Sequence, residues 1–227
     1  MLLAVDTSTT QLGLALYDGA QVIAEYAWRS GQRHTVELAP ATAELLSRCN
    51  LKMSDVNVLA VALGPGSFTS LRVGLAFVKG LALARNIPVI GIPTLDILAY
   101  AQPLSTNPLA VAIQAGRGRY ALGLYKRSSP VDKASENRWR AQGQARVATL
   151  EELMAEAQSP LEMCGEFTDE IRLRLMSNEN LHLASPVNSI RRPAMLAQLA
   201  WARWQNNDVD EAASLAPIYL HTAEPIS

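Results

Sequence analysis

Gly64-Pro65-Gly66-Ser67-Phe68-Thr69-Ser70-Leu71-Arg72-Val73-Gly74 joins two segments of different pattern. Before it, Val58-Leu59-Ala60-Val61-Ala62-Leu63 is a short continuous apolar run, the pattern of a buried strand. After it, a helical stretch extends to near Asn86. Glycines on either side of a proline permit a tight reversal that a residue with a Cβ follows less easily. Ser67 or Thr69 then stands where a hydroxyl caps the N–H groups of the first helical turn. Such a helix start can hold an anion, and that is one use of it. Strand, glycine turn and helix in this order form a unit of an α/β sheet.

From Leu71 to Arg85 the helix is apolar nearly all round. Leu71, Leu75, Val78 and Leu81 share one side, and Val73, Phe77 and Leu83 lie on others. Arg72 and Lys79, seven apart, make one narrow polar stripe. A helix that only covers its own sheet keeps a broad polar face. Ala76, Gly80 and Ala84 recur every fourth residue as a smooth strip on which another backbone could approach closely. Two arrangements satisfy this pattern: burial by the helix's own sheet on one side and a partner on the other, or enclosure within a larger fold.

Working outward, Leu2–Asp6, Leu12–Tyr17 and Val22–Trp28 read as strands, with Tyr17-Asp18-Gly19-Ala20 as a hairpin turn. A helix follows from about His34 to Cys49, then the strand and long helix above, then Val89–Ile92 and a short helix from Pro93-Thr94 toward Tyr100. Gln102–Pro108, with its two prolines, marks a boundary, dividing the chain into lobes 1–102 and 103–227, the last residues being available to pack back on the first lobe. The second lobe opens with strands at Leu109–Ile113 and Tyr120–Tyr125, with a third across Arg138–Val147. Thr149-Leu150-Glu151-Glu152 has capping-box spacing for a helix to about Ala157. Leu161–Cys164, a helix near Asp169–Met176, Leu181–Ala184 and a helix at Ala194–Gln205 complete it. Three strands followed by alternating helices and strands, given twice, is an α/β duplication.

The 227 residues suffice for a real hydrophobic core. A formal net charge of −1 gives no global attraction to nucleic acid or acidic membranes. Cys49 and Cys164 are isolated, which reads as buried thiols in a reducing compartment. No stretch is long and uninterrupted enough to span a bilayer, and the N-terminus lacks a basic leader with a cleavage site, so the expected location is the cytoplasm.

Gly64 to Gly74, with Lys79-Gly80-Leu81-Ala82, resembles the signature of the bacterial TsaB (YeaZ) family, non-catalytic subunits of the machinery that makes N6-threonylcarbamoyladenosine in tRNA. The opening Leu2-Leu3-Ala4-Val5-Asp6-Thr7-Ser8-Thr9 agrees, as does the helix from His34 with Pro40 and Glu44-Leu45-Leu46. So does the closing Pro217-Ile218-Tyr219-Leu220. The resemblance implies a two-lobed, duplicated actin-like, sugar-kinase-like ATPase (ASKHA) fold. It also implies that the helix from His34 and the one after Gly66 pack against the same pair of a sister subunit, as a four-helix interface. The interface residues expected on that basis are Leu38, Leu45, Phe68, Leu71, Val73, Ala76, Phe77, Gly80, Leu83 and Ala84. The implied partners are a TsaD-type catalytic subunit, similar to the glycoprotease-like proteins, and a TsaE-type small ATPase. A homodimer is expected in isolation, and tRNA only within the complex. ATP and metal are expected on the partners, with no cofactor and no catalytic residue in this chain.

Other chemistry remains to be placed. Asp6-Thr7-Ser8-Thr9, after the first strand, resembles the phosphate loop of ATPases of this fold, in which an acid handles metal-bound water and hydroxyls face phosphate. The same residues also suit a plain β-turn. Catalysis through Asp6 by a stand-alone small-molecule kinase or ATPase is the alternative function. Against it, Ile113-Gln114-Ala115-Gly116-Arg117-Gly118 offers no carboxylate where kinases of this fold need one. Gln114 and Gly116 replace the family's aspartate and arginine, His221 a common arginine, and Ser70 a common glycine. His34, His182 and His221 are far apart, unlike the paired ligands of a metal hydrolase. Lys126, Arg127, Lys133, Arg138, Arg140 and Arg146 surround Trp139, interspersed with Asp132 and Glu136. That run suits either a strand of nucleic acid or the solvated face of a hairpin.

Overall fold

Leu3 and Val5 face one side of the first strand and Leu2 and Ala4 the other, and all four are buried. A strand with apolar residues on both faces needs cover on both, and that requirement organises the first half of the molecule. The computed structural model describes residues 1–128 and 138–220.

In chain order the elements begin β1 (Leu2–Asp6), β2 (Gln11–Tyr17), β3 (Val22–Arg29), α1 (His34–Arg48), β4 (Val58–Ala62) and α2 (Phe68–Arg85). Next come β5 (Val89–Ile92), α3 (Thr94–Tyr100), β6 (Leu109–Gly116), β7 (Arg119–Arg127), β8 (Trp139–Ala141) and β9 (Arg146–Ala148). The remainder are α4 (Leu150–Ala155), β10 (Leu161–Gly165), α5 (Asp169–Met176), β11 (Leu181–Leu183) and α6 (Pro193–Gln205). Several stretches differ from the sequence reading, β6 running on to Gly116 and β7 spanning Arg119–Arg127, each longer than expected. The strand expected across Arg138–Val147 is two short strands, β8 and β9, both paired with β7, and α2 starts at Phe68, three residues earlier than its apolar periodicity.

The first sheet has the order β3-β2-β1-β4-β5 and the second β11-β10-β6-β7-β8. In the first, β2 runs antiparallel to β1 and β3, while β1, β4 and β5 are parallel. In the second, β7 is antiparallel to β6 and β8, while β6, β10 and β11 are parallel. Numbered by appearance, the main strands of both sheets follow the order three-two-one-four-five. The duplication is therefore present in topology.

The chain forms two units, the first made of Met1–Ile97 with Arg191–Tyr219, the second built on Leu98–Ile190. The return to the first unit is longer than the few residues expected, because it includes α6. The reason lies in the back face of the first sheet: Leu2, Ala4, Val58 and Ala60 pack against Leu196, Ala197 and Ala200 of α6. On the front face, Leu38 and Leu45 of α1 and Leu75 and Val78 of α2 pack on Leu3, Val5, Leu14 and Val61.

In the second unit, α4 and α5 contribute Leu153 and Leu175 to a core with Leu122, Leu161 and Met163. The expected capping box starts α4: Glu152 N–H donates to Thr149 Oγ1 at 3.2 Å and Thr149 N–H to Glu152 Oε2 at 2.7 Å. The β6–β7 turn has φ of +82° at Gly116, +52° at Arg117 and +70° at Gly118. That conformation favours glycine, which gives a physical reason for Gly116.

Candidate functional site

The two motifs read separately, Asp6–Thr9 and Gly64–Gly74, are halves of one joint. Ser67 N–H donates to Ser8 O at 2.7 Å, and Thr7 Oγ1 donates to Ser70 O at 2.7 Å. A Cβ on Gly66 would run into the Ser8 carbonyl, and one on Gly74 into the Thr7 hydroxyl. These glycines let the first turns of α2 press against the turn after β1. The expected side-chain cap is absent: Ser67 is the N-cap residue, but its hydroxyl bonds no helix N–H and instead accepts from Ser70 Oγ at 3.0 Å.

A third segment enters through Thr94, which is fully buried. Gly64 N–H donates to Thr94 Oγ1 at 2.9 Å, and Thr94 Oγ1 lies 2.8 Å from Ser8 Oγ. Ser8 Oγ in turn donates to Asp6 Oδ1 at 2.5 Å. Since each hydroxyl has one proton to give, Thr94 is the donor to Ser8, and the relay ends on the carboxylate. Its other oxygen, Oδ2, receives Arg191 Nε at 2.8 Å, with both side chains essentially excluded from water (0% and 3% exposed). Arg191 also donates from its second terminal nitrogen to Thr9 Oγ1 at 2.8 Å. Asp6, Thr7, Ser8 and Thr9 are all buried. Both carboxylate oxygens and all three hydroxyls thus have partners inside the protein. Arg191 and Thr94 escaped the sequence reading; the one local hint was the pair Arg191-Arg192 placed before the helix-starting Pro193.

On α2 the buried side is Leu71, Leu75, Val78 and Ala82, with Ser70 and Gly74. Leu38, Leu45 and Leu71, expected at a partner surface, lie inside the chain's own core and present nothing to a partner. Val73 and Phe77 are half-buried against that core. Phe68, Ala76, Gly80, Leu83 and Ala84 are exposed, Leu83 by 86%. On α1, Val36, Ala39, Pro40 and Ala43 are exposed as well.

The polar stripe of α2 is occupied by the chain's own C-terminal segment. Lys79 Nζ donates to Ala213 O at 3.2 Å, and Arg72 Nε to Tyr219 Oη at 3.1 Å. The Tyr219 ring lies 5.0 Å from that of Phe68, and the Arg72 guanidinium stacks on Phe68 at 3.7 Å. The segment thus runs antiparallel to α2, with Ile218 N–H bound to Leu63 O at 2.7 Å.

Elsewhere, Trp139 is buried and its Nε1–H donates to Gln102 O at 3.3 Å, so the ring at the centre of the basic run is a core residue, neither a platform for bases nor part of a solvated face. Lys126 and Arg140 are directly opposite across β7 and β8, and Arg146 pairs with Glu156. Lys133, Asp132, Glu136 and His221 lie outside the described residues. His34 is the first residue of α1 and is buried, with its Nε2 making no hydrogen bond among the described residues. His182 is on β11 beside Glu162. Gln114 is exposed near the end of β6. Cys164 is buried, which pushes its thiol up to about 12, while Cys49 is half-buried.

A family model described as TsaD, tRNA N6-adenosine threonylcarbamoyltransferase, matches residues 22–162, more than half of the chain. The chain belongs to the TsaD family. Within this family it is similar to the tRNA threonylcarbamoyladenosine biosynthesis protein TsaB of Bacillus subtilis, at 36% identity over 125 residues, 55% of each chain. The protein of the same name from Escherichia coli is 34% identical over 129 residues, covering 56% of this chain and 55% of that one. The chain spans about half the length of the curated relatives it matches. Among solved structures, YeaZ from Pseudomonas aeruginosa superposes with a TM-score of 0.76 at 26% identity, over 96% of this chain and 99% of that one. The resemblance to the TsaB (YeaZ) proteins and the two-lobed actin-like, sugar-kinase-like architecture expected from the sequence both hold. Among the described residues no helix is long and apolar enough to cross a membrane.

Proposed function

We propose that the chain is a non-catalytic scaffold and activator in threonylcarbamoyl transfer to N6 of adenosine 37 in tRNA, acting by binding a TsaD-type catalytic subunit. The observation that carries this reading is the uncovered apolar strip Ala76, Gly80, Leu83 and Ala84 on α2. Soluble monomers seldom leave large contiguous apolar patches in water, and small residues at four-residue spacing admit a second helix at close range. The exposed Val36, Ala39 and Ala43 supply apolar surface on α1. In isolation the same strip would join a second copy.

ATP and metal belong, on this reading, to the TsaD-type subunit and a TsaE-type small ATPase, and this chain has no cofactor of its own. The tRNA meets the assembled complex, and the setting is the cytoplasm. Stand-alone kinase chemistry would need Asp6, and the bonds of Asp6 to Arg191 and Ser8 count against that use.

Gly80→Glu tests the interface. A Cβ at Gly80 meets nothing within 4 Å among the described residues, so the variant should fold normally while co-expression with the catalytic subunit no longer yields a complex. Co-purification at wild-type yield would remove the α2 strip from the interface.

A further inference from the structure

The second unit contains a cleft of about 350 Å³ at the β11 edge of its sheet, a volume within the range of small-ligand sites. Glu162 supplies its charge. Glu162 Oε1 accepts from Ser105 Oγ at 3.2 Å and from Asn107 Nδ2 at 3.0 Å, and lies 3.3 Å from His182 Nδ1. A proton on Nδ1 directed at the carboxylate leaves the lone pair of neutral His182 on Nε2. Gln102 is buried, and its Nε2 donates to Asn188 O at 2.7 Å and Leu98 O at 3.2 Å. Two carbonyl partners fix that amide's orientation, so its Oε1 is left as an acceptor. Glu162 Oε2, Gln102 Oε1 and His182 Nε2 are thus three acceptors on residues lining one cleft, and none takes a donor from the described residues. Leu104, Met163, Leu183 and Ala184 form apolar lining.

We propose that this cleft binds an alkylammonium group: three N–H donors matched to three acceptors, one of them anionic, with a short hydrocarbon stem against the apolar lining. An anion is disfavoured by Glu162, and a neutral alcohol brings a single proton to three acceptors. The site is independent of the proposed scaffold role and uses none of its residues.

The test is a backbone-amide NMR titration of the full chain with n-butylammonium chloride near neutral pH, with sodium chloride matching the ionic strength and n-butanol as the neutral control. Saturable shifts centred on Gln102, Glu162 and His182 are expected with the amine alone. Glu162→Gln keeps an acceptor for Ser105 and Asn107, so its melting temperature should match the wild type. Its affinity should fall about tenfold or more through loss of a charge-assisted bond. A parallel titration with N-acetyl-lysine methylamide identifies the source: tighter binding than butylammonium assigns the group to a protein lysine, weaker binding to a free small amine. Linear, non-saturating shifts with both amines, or equal affinity in Glu162→Gln, would overturn the site.

Discussion

Arg191 Nε lies 2.8 Å from Asp6 Oδ2, joining residues 185 apart in sequence inside a water-free joint. Removing one partner of such a pair leaves a buried uncompensated charge, at a cost of about 3–5 kcal/mol. Arg191→Met and Asp6→Asn should each lower the urea midpoint by a corresponding amount. The double variant should recover a large part of the loss; simple additivity would show that the two groups are not coupled.

Gly74 and Gly80, on the same helix α2, should respond with opposite sign. Gly74→Ala forces a methyl group into the Thr7 hydroxyl and should destabilise by about 1–3 kcal/mol. Gly80→Ala meets nothing within 4 Å among the described residues and should stabilise by up to about 1 kcal/mol through helix propensity. Denaturant melts of both variants decide it.

The C-terminal segment should protect the start of α2. Tyr219→Ala removes the Phe68 ring contact and the bond from Arg72. Hydrogen exchange should then quicken in the first two turns of α2 and not in β6 or β7. Uniform acceleration would mean that the segment supports the whole chain instead.

Acid should weaken the fold through carboxylates held below their ordinary values. Glu37 is held below 4.5 first by the Trp28 indole N–H at 2.9 Å, and Asp208 below 3.8 first by Arg203. Asp18 is lowered first by the Gln21 N–H. A lowered folded value means stability that is present above the unfolded value and lost as pH falls through the folded one. Melting temperature should therefore decline below about pH 4. Glu37→Gln should flatten part of that decline; an unchanged slope would remove Glu37 from the account.

Cys164, buried and pushed up to about 12, should resist thiol reagents in the native protein at about pH 8. Cys49 should react first, and Cys164 only on addition of denaturant, as counted by thiol titration.

Much of the architecture is legible because it is local. β5 and α5 fall on the residues their patterns predict, and Thr149 and Glu152 announce α4 three residues apart. The joint was half legible: Gly66 and Asp6 stood out, but a bond between residues 6 and 191 leaves no periodicity in either neighbourhood. Leu71 is hard to place because a helix apolar nearly all round does not say which side its own sheet takes, whereas Leu38 and Leu45 form the apolar side of an amphipathic α1, and that side faces the chain's own sheet. The cations around Trp139 suit either a stacking ring or a solvated hairpin face, and neither reading shows that its register opposite Arg127 turns the indole inward to Gln102.

The residence of α6 on the first sheet has a consequence for synthesis on the ribosome. Strands β1 to β5 emerge within the first 92 residues, yet the helix that covers their rear surface is not complete until residue 205. A nascent chain must carry that bare hydrocarbon through more than a hundred further codons. Chaperone engagement is therefore expected to concentrate in this interval and to end as Leu196 and Ala200 clear the exit tunnel.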